Sequence, residues 1–356
     1  MKKNRFILKT AALLFALALL LTACDRGGGG QQEPPSTGAR TGGTTPSAEP
    51  GGAEFEAMTL QLGHVQNTEH HYQTTAQAIA DEISAATGGK VVIQIYPAEQ
   101  LGSGRDQVES VKTNTQSMVF TPTAYLAGYD NIFDVLEMPY ITKTYEEAKA
   151  FADTEAAAEF EKAAEAQGFV ILGWAANGFH NVTGKKPITT PADMNNIRIR
   201  TGASQLVADM WACVNATATT ISMGETYTAL DNGTVECQAN PTTNILANKL
   251  YEVQDYLIMT HHAFVFQPVV INKGLFDGMS PELQQLMRDT FDKYCREDVE
   301  LVAGNEAAEI EQLKEYGMTV IEPDNAAFEE AFMPLYEQYA SARGDRWSAL
   351  VDLILK

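Results

Sequence analysis

Cysteine is scarce in this chain, four in 356 residues, too few for a disulfide scaffold. Basic residues are scarce as well. There are 25 Lys and Arg against 46 Asp and Glu, for a formal net charge of −21. A nucleic-acid partner needs clustered Lys and Arg against its phosphates, so this balance argues against one. Enzyme signatures are missing: no GxSxG, no glycine loop ending in Lys-Ser/Thr, no GxGxxG, no HExxH and no CxxC. Gly102-Ser103-Gly104 reads as a turn. What is present is a sizeable apolar fraction, 45%, with 9% aromatics, which fits a globular chain and argues against global disorder. The length allows one large domain or two ordinary ones.

The N-terminus reads as an export signal. Lys2, Lys3, Arg5 and Lys9 precede Ala11–Leu21, an uncharged apolar run of 11 residues, whereas a membrane span needs ~20. Leu21-Thr22-Ala23-Cys24 then resembles the bacterial lipobox, which implies cleavage before Cys24 and lipidation of its sulfur. From Asp25 to Glu54, 19 of 30 residues are Gly, Pro, Ser or Thr, the composition of a solvated, flexible tether. Removing the four positive charges of residues 1–23 from a chain of net −21 leaves −25. So acidic a body should stay off anionic headgroups while the lipid holds it outside the cytoplasmic membrane. Of the remaining Cys213, Cys237 and Cys295, at most one pair can bridge. Cys213 with Cys237 is the candidate, against three buried thiols.

Beyond Ala57, strand and helix patterns alternate. Met58–Leu62 has period two. A helix from about His70 places Ala76, Ile79, Ala80 and Ile83 on one face and closes at Gly88-Gly89. Val91–Ile95 reads as a buried strand, Arg105–Lys112 as a helix, Met118–Phe120 as a strand, Thr144–Gln167 as one long helix and Phe169–Leu172 as a strand. After Thr190-Pro191-Ala192-Asp193, a helix-start signature, short strands are expected at 197–200, 216–221, 235–238 and 264–271. Between them fall helices at 205–211, 223–230 and 243–249. Ser280-Pro281-Glu282 then opens a long helical region to about Tyr316. The rhythm predicts mostly parallel sheets covered by helices, in two α/β lobes of unequal length.

Two segments carry candidate chemistry. In Ile197-Arg198-Ile199-Arg200, arginines alternate with isoleucines, and the strand turns through Gly202 into a helix near Ser204. Ligands of open α/β sheets bind beyond the carboxyl ends of the strands, and a planar guanidinium pairs both oxygens of a carboxylate. A solvated surface salt bridge is the competing reading. In Val235–Pro241, Gln238 and Asn240 offer donors and acceptors to a polar ligand, although Asn240 before Pro241 also suits a helix cap. The histidines give no convergent set. His261 and His262 fall on a strand and point to opposite faces, so no metal site is expected.

Several stretches, in order, resemble the solute-binding proteins of TRAP (tripartite ATP-independent periplasmic) transporters. They are Thr87–Pro97, Gln100-Leu101-Gly102 with Arg105, Glu137-Met138-Pro139-Tyr140, Lys185–Ile188 with Asp193, Ile197–Arg200, Glu225–Leu230, Gln238–Pro241 and Ser280–Leu283. The resemblance implies an α/β, two-lobed periplasmic-binding-protein-like fold with discontinuous lobes, a hinge and a long interlobe helix. Carried over, lobe one is 58–177 plus 266–305, and lobe two is 178–265 plus 306–356. It also implies an organic-acid ligand between the lobes, with Arg200 on its carboxylate, Asn240 beside it, Met223 as an apolar wall, and Thr123, Tyr125 and Phe264 at the cleft. His180 stands where the family often has a second Arg, which predicts pH-sensitive affinity through its charge. Cys237 stands where Gly is usual. The implied partners are a small-molecule carboxylate and TRAP membrane subunits, with no cofactor, no catalytic role and a monomeric state. Alternatives are a binding lipoprotein of an ATP-driven importer, a tethered hydrolase, and a metal-binding lipoprotein using His70, His71 and His261 or His262.

Overall fold

The computed structural model describes residues 55–356. The signal segment, Cys24 and the tether up to residue 54 lie outside the described residues. The first half of the fold runs β1 (Met58–Gly63), α1 (His71–Ala86), β2 (Val91–Tyr96), α2 (Gly104–Lys112), β3 (Met118–Phe120) and α3 (Thr123–Leu126), then a 3-10 segment at Asn131–Glu137. Next come α4 (Tyr145–Ala150), α5 (Glu155–Ala166) and the 16-residue strand β4 (Phe169–Gly184). A second set follows: β5 (Arg198–Thr201), α6 (Gln205–Ala212), β6 (Thr217–Thr220), α7 (Met223–Asp231), β7 (Cys237–Asn240) and α8 (Thr242–Ala247). The 17-residue β8 (Tyr256–Asn272), α9 (Lys273–Asp277), the 35-residue α10 (Pro281–Glu315), β9 (Thr319–Ile321), α11 (Asn325–Phe332), α12 (Pro334–Arg343) and α13 (Asp345–Ile354) complete it.

The strands form one sheet in the order β2-β1-β3-β8-β4-β7-β5-β6, with β9 paired to the first residues of β8. Each flank is parallel, as its βαβ crossovers require: β2, β1 and β3 on one side, β7, β5 and β6 on the other. The centre is antiparallel, because β4 and β8 run against each other from end to end. The expected mostly parallel sheets are therefore two parallel flanks joined by an antiparallel pair. Both long strands are longer than their apolar cores suggest. Bulges between Ile171 and Gly173, Ala176 and Gly178, and His180 and Val182 break the period-two pattern.

Other elements also differ from expectation. The helix expected over 144–167 is two helices, because Thr154 turns extended and its hydroxyl oxygen accepts from the Ala157 N–H as a new cap. β2 is the edge strand and alternates buried with exposed residues instead of being buried throughout. β7 starts at Cys237, two residues later than expected, which puts Asn240 at its end. Cys213, Cys237 and Cys295 are free thiols, the last two buried.

α10 packs along β4 and α1, with Phe291 and Cys295 beneath Gly173. A Cβ at Gly173 would lie 2.8 Å from the Cys295 sulfur and 2.9 Å from the Phe291 carbonyl oxygen, so the crossing needs glycine. The C-terminal helices, expected with lobe two, close back on elements expected in lobe one. α13 packs on the 131–137 segment and α5. The buried Asp134 carboxylate accepts from Trp347 Nε1 at 2.5 Å and Arg343 Nε at 3.0 Å. Among the described residues, no helix is long and apolar enough to cross a membrane.

Candidate functional site

The carboxyl ends of β1, β3 and β5, the N-termini of α6 and α7, and the middle of β4 and β8 surround a cavity of about 100 Å³. At roughly 10–15 Å³ per water centre, that is room for about seven to ten waters, hence a small organic molecule.

Arg200 is the charged group of one wall. It is 7% exposed, and its Nε donates to the Ile221 carbonyl at 2.9 Å. Among the described residues, no carboxylate lies within 4.0 Å of its guanidinium. Burial pulls its pKa below the ordinary arginine value, while Tyr125 and Glu99 pull it back up. A buried cation without a partner is costly, and it becomes favourable when an anion enters beside it. Arg198 shares the strand face of Arg200 but reaches solvent. Its Nη2 donates to the Gly233 carbonyl at 3.0 Å and its Nε lies 3.5 Å from Glu236, so the surface-salt-bridge reading fits Arg198 alone.

Asn240 lines the cavity without capping the next helix, whose N-cap is Pro241. Its Nδ2 donates to Gln238 Oε1, and its Oδ1 accepts from Asn244 Nδ2 at 2.8 Å. The chain of amides continues across the cavity floor. Asn244 Oδ1 accepts from Gln66 Nε2 at 3.0 Å and meets His70 Nε2 at 2.8 Å. Asn67 and Asn248 add bonds between the loop after β1 and α8. Sequence reading missed Gln66 and Asn244 and named His70 only as a candidate metal ligand; their shared signal emerges only when the two segments meet.

Met223, 8% exposed at the start of α7, and Tyr125 also line the cavity. The Tyr125 ring lies where a Cβ on Gly104 would be, 2.5 Å from its Cε2, so glycine at the start of α2 gives it room. Thr123 and Phe264 do not line the cavity. The Thr123 hydroxyl donates to Glu137 Oε1 at 2.8 Å, and Phe264 packs among Tyr145, Phe179 and Phe266. Glu137, which does line the cavity, also accepts from the Ala124 N–H at 3.1 Å, and burial pushes its carboxyl up.

His180 lines the same cavity, but burial and then the Arg200 charge push its pKa down to about 3. That favours a neutral ring across pH 5.5–8 and speaks against the expected pH-sensitive role. The other histidines are engaged separately: His71 with Asp298 at 2.6 Å, His261 with Glu306 at 3.2 Å and His262 with Thr260 at 2.8 Å. Among the described residues, no group of three or more His, Cys, Asp or Glu is placed to hold a metal ion.

Residues 62–342 match the model of the family described as bacterial extracellular solute-binding protein, family 7. The chain belongs to this family. One relative, the 2,3-diketo-L-gulonate-binding periplasmic protein YiaO of Escherichia coli (strain K12), is 28% identical over 281 residues, 78% of this chain and 86% of that protein. A TRAP periplasmic solute-binding protein from Polaromonas sp. JS666, solved bound to D-erythronate, is 28% identical with a TM-score of 0.79, covering 83% of this chain and 98% of that one. One from Roseobacter denitrificans OCh 114 with bound L-galactonate is 25% identical with a TM-score of 0.79, covering 85% and 100%. The two-lobed α/β fold of these solute-binding proteins is therefore the fold of this chain.

Proposed function

We propose that this protein captures a small organic acid in the cavity between its lobes and hands it to the membrane subunits of a TRAP transporter. The observation that carries this reading is the buried Arg200 guanidinium at the cavity, with no carboxylate within 4.0 Å of it among the described residues. Its fork matches both oxygens of a carboxylate. Asn240 orients the ligand, Met223 and Tyr125 supply apolar walls, and Thr123 supports the site through Glu137. His180 stays neutral and offers a hydrogen bond without a second positive charge. A single buried cation favours a monocarboxylate over a dianion. The relatives' aldonate and oxo-acid ligands support the same class.

The lobes divide near residues 177 and 265, where the bulged β4 and β8 pass between the flanks. Closure about these strands brings the 64–70 loop onto α8, and the amide chain holds the closed form. The role is that of a receptor, with no catalytic base required. Lipidation at Cys24 keeps the protein, as a monomer, on the outer face of the cytoplasmic membrane. Replacing Cys24 with Ser should release it from membranes into the soluble extracytoplasmic fraction. Retention at wild-type levels would remove the lipid anchor from this reading.

Arg200→Ala tests the anchor. Affinity for the acid should fall at least ~100-fold, the scale expected when a charged hydrogen-bonding partner is lost. Unaltered affinity in a folded variant would dismiss the assignment.

A further inference from the structure

Four buried polar atoms without a protein partner belong to residues that line this one cavity: Tyr72 Oη, Asn177 Oδ1, Thr201 Oγ1 and Trp211 Nε1. Their residues are 1%, 7%, 4% and 0% exposed. Buried polar groups are almost always hydrogen-bonded, so four such atoms around one cavity require an explanation.

Packing fixes the two aromatic rings, and the backbone places the other two side chains. The Tyr72 ring stacks on Phe120 at 5.2 Å and meets His70 edge-on at 4.3 Å. Burial pushes its phenol well above the ordinary value, so the hydroxyl keeps its proton. Asn177 is the extra residue of the central bulge of β4, between Ala176 and Gly178, a device that re-aims a side chain out of the ladder. Thr201 ends β5 beside Arg200. Trp211, in the last turn of α6, is fixed edge-on by His262 at 5.0 Å and Phe332 at 5.9 Å.

The chemistry of the set is mixed. The indole N–H can only donate, the amide oxygen can only accept, and the two hydroxyls do either. A carboxylate offers acceptors alone and would leave Asn177 unmatched. An alcohol both gives and takes. We propose that Tyr72, Asn177, Thr201 and Trp211 are the specificity-determining residues that read hydroxyl groups, so the ligand is a polyhydroxylated monocarboxylate and plain alkanoates are rejected. The proposal rests on the carboxylate-receptor reading above and adds which groups choose among carboxylates. Discrimination follows because a plain chain would bury all four atoms without partners, and a site built for hydroxyls rejects an analogue lacking them strongly.

The test is calorimetric titration of the purified protein with matched probes of two lengths: D-erythronate, butyrate and erythritol; and D-gluconate, hexanoate and sorbitol. At least one hydroxy acid should bind more than ~100-fold tighter than its alkanoate. Tyr72→Phe and Thr201→Val each remove one hydroxyl with little change of shape, and Trp211→Phe removes the indole N–H together with part of a buried ring. Each should cut the preference for hydroxy acid over alkanoate by about 3- to 10-fold, the effect of one hydrogen bond. The ratio is read on one variant with both probes, so a general loss of stability does not move it. Equal binding of hydroxy acid and alkanoate, or a ratio unmoved in all three variants, overturns this proposal and leaves the carboxylate reading standing. Binding of erythritol or sorbitol with neither acid overturns both, as does binding of none of the six.

Discussion

At the residue scale, the cavity pairs one positive group, Arg200, with uncharged polar side chains and the buried Glu137 carboxyl. Arg200 was legible because alternation with Ile put it at the end of a strand that turns directly into a helix. Periodicity gives the face and topology gives the end. What the pattern did not separate was Arg198 from Arg200, which share that face. Only packing buries the second. Asn240 shows the opposite case. An Asn before Pro is a sound cap signal, but β7 extends through residue 240 and gives the cap position to Pro241. Thr123 and Phe264 were carried over by position, and neither lines the cavity. The pH behaviour follows from His180. Its pKa of about 3 leaves it neutral above pH 5.5. We therefore expect acid affinity to change less than ~2-fold between pH 5.5 and 8, measured by titration in buffers of constant ionic strength. A ~10-fold rise on acidification would show that the histidine charges with the ligand bound.

His64 gives a sharper pH test at the same scale. Burial lowers its pKa to about 4 against 6.5 for the free side chain. A folded value below the unfolded one means the unfolded chain takes up the proton first. The stability contributed by neutral His64 is thus present above about pH 6.5 and is lost as pH falls towards 4. The wild type should lose up to about 1.4 kcal/mol per pH unit more than His64→Gln across that window, since one proton is at stake. Parallel stability curves from denaturant unfolding would contradict the assignment.

At the element scale, β4 and β8 join the two parallel flanks and carry Asn177, His180, Val265 and Gln267 to the cavity. Their length was hidden in the sequence because three bulges interrupt the alternation and both faces are covered. Short strands were legible because they end at turn signals. The helix break at Thr154 was readable only as a weak cap inside an alanine-rich run, where propensity favours continuation. Packing imposes two further demands. Gly173→Ala should destabilise the fold by about 1–3 kcal/mol, because the new methyl meets the Phe291 carbonyl and the Cys295 sulfur. Asp134→Ala should cost about 2–4 kcal/mol, since it strands the Trp347 N–H and frees Arg343. It should also weaken acid binding, because Asp134 and Glu137 share the 3-10 segment that forms part of the cavity wall. Unfolding midpoints of both variants below wild type would agree; unchanged midpoints would not.

For the whole molecule, a cavity lined from both flanks would make ligand binding and the proposed lobe closure one equilibrium. The fold class was legible from the alternation of elements, and the family from the order of its motifs. The resemblance carried Tyr125, His180, Arg200, Met223 and Asn240 to the cavity but not the rest of its lining, which comes from segments far apart in the chain. The loop after β1, the end of β3, the bulge of β4 and the N-termini of α6 and α7 meet only in three dimensions. The central claim is that one buried guanidinium anchors a carboxylate there. Thermal unfolding of the wild type and Arg200→Ala, each with D-gluconate, D-erythronate and the matching polyols, tests it most directly. A ligand at ~100 times its dissociation constant adds roughly 2.7 kcal/mol, a rise of several degrees for a protein this size. We expect that rise in the wild type with an acid, none with the polyols, and none in Arg200→Ala. An equal rise in both proteins would contradict the claim.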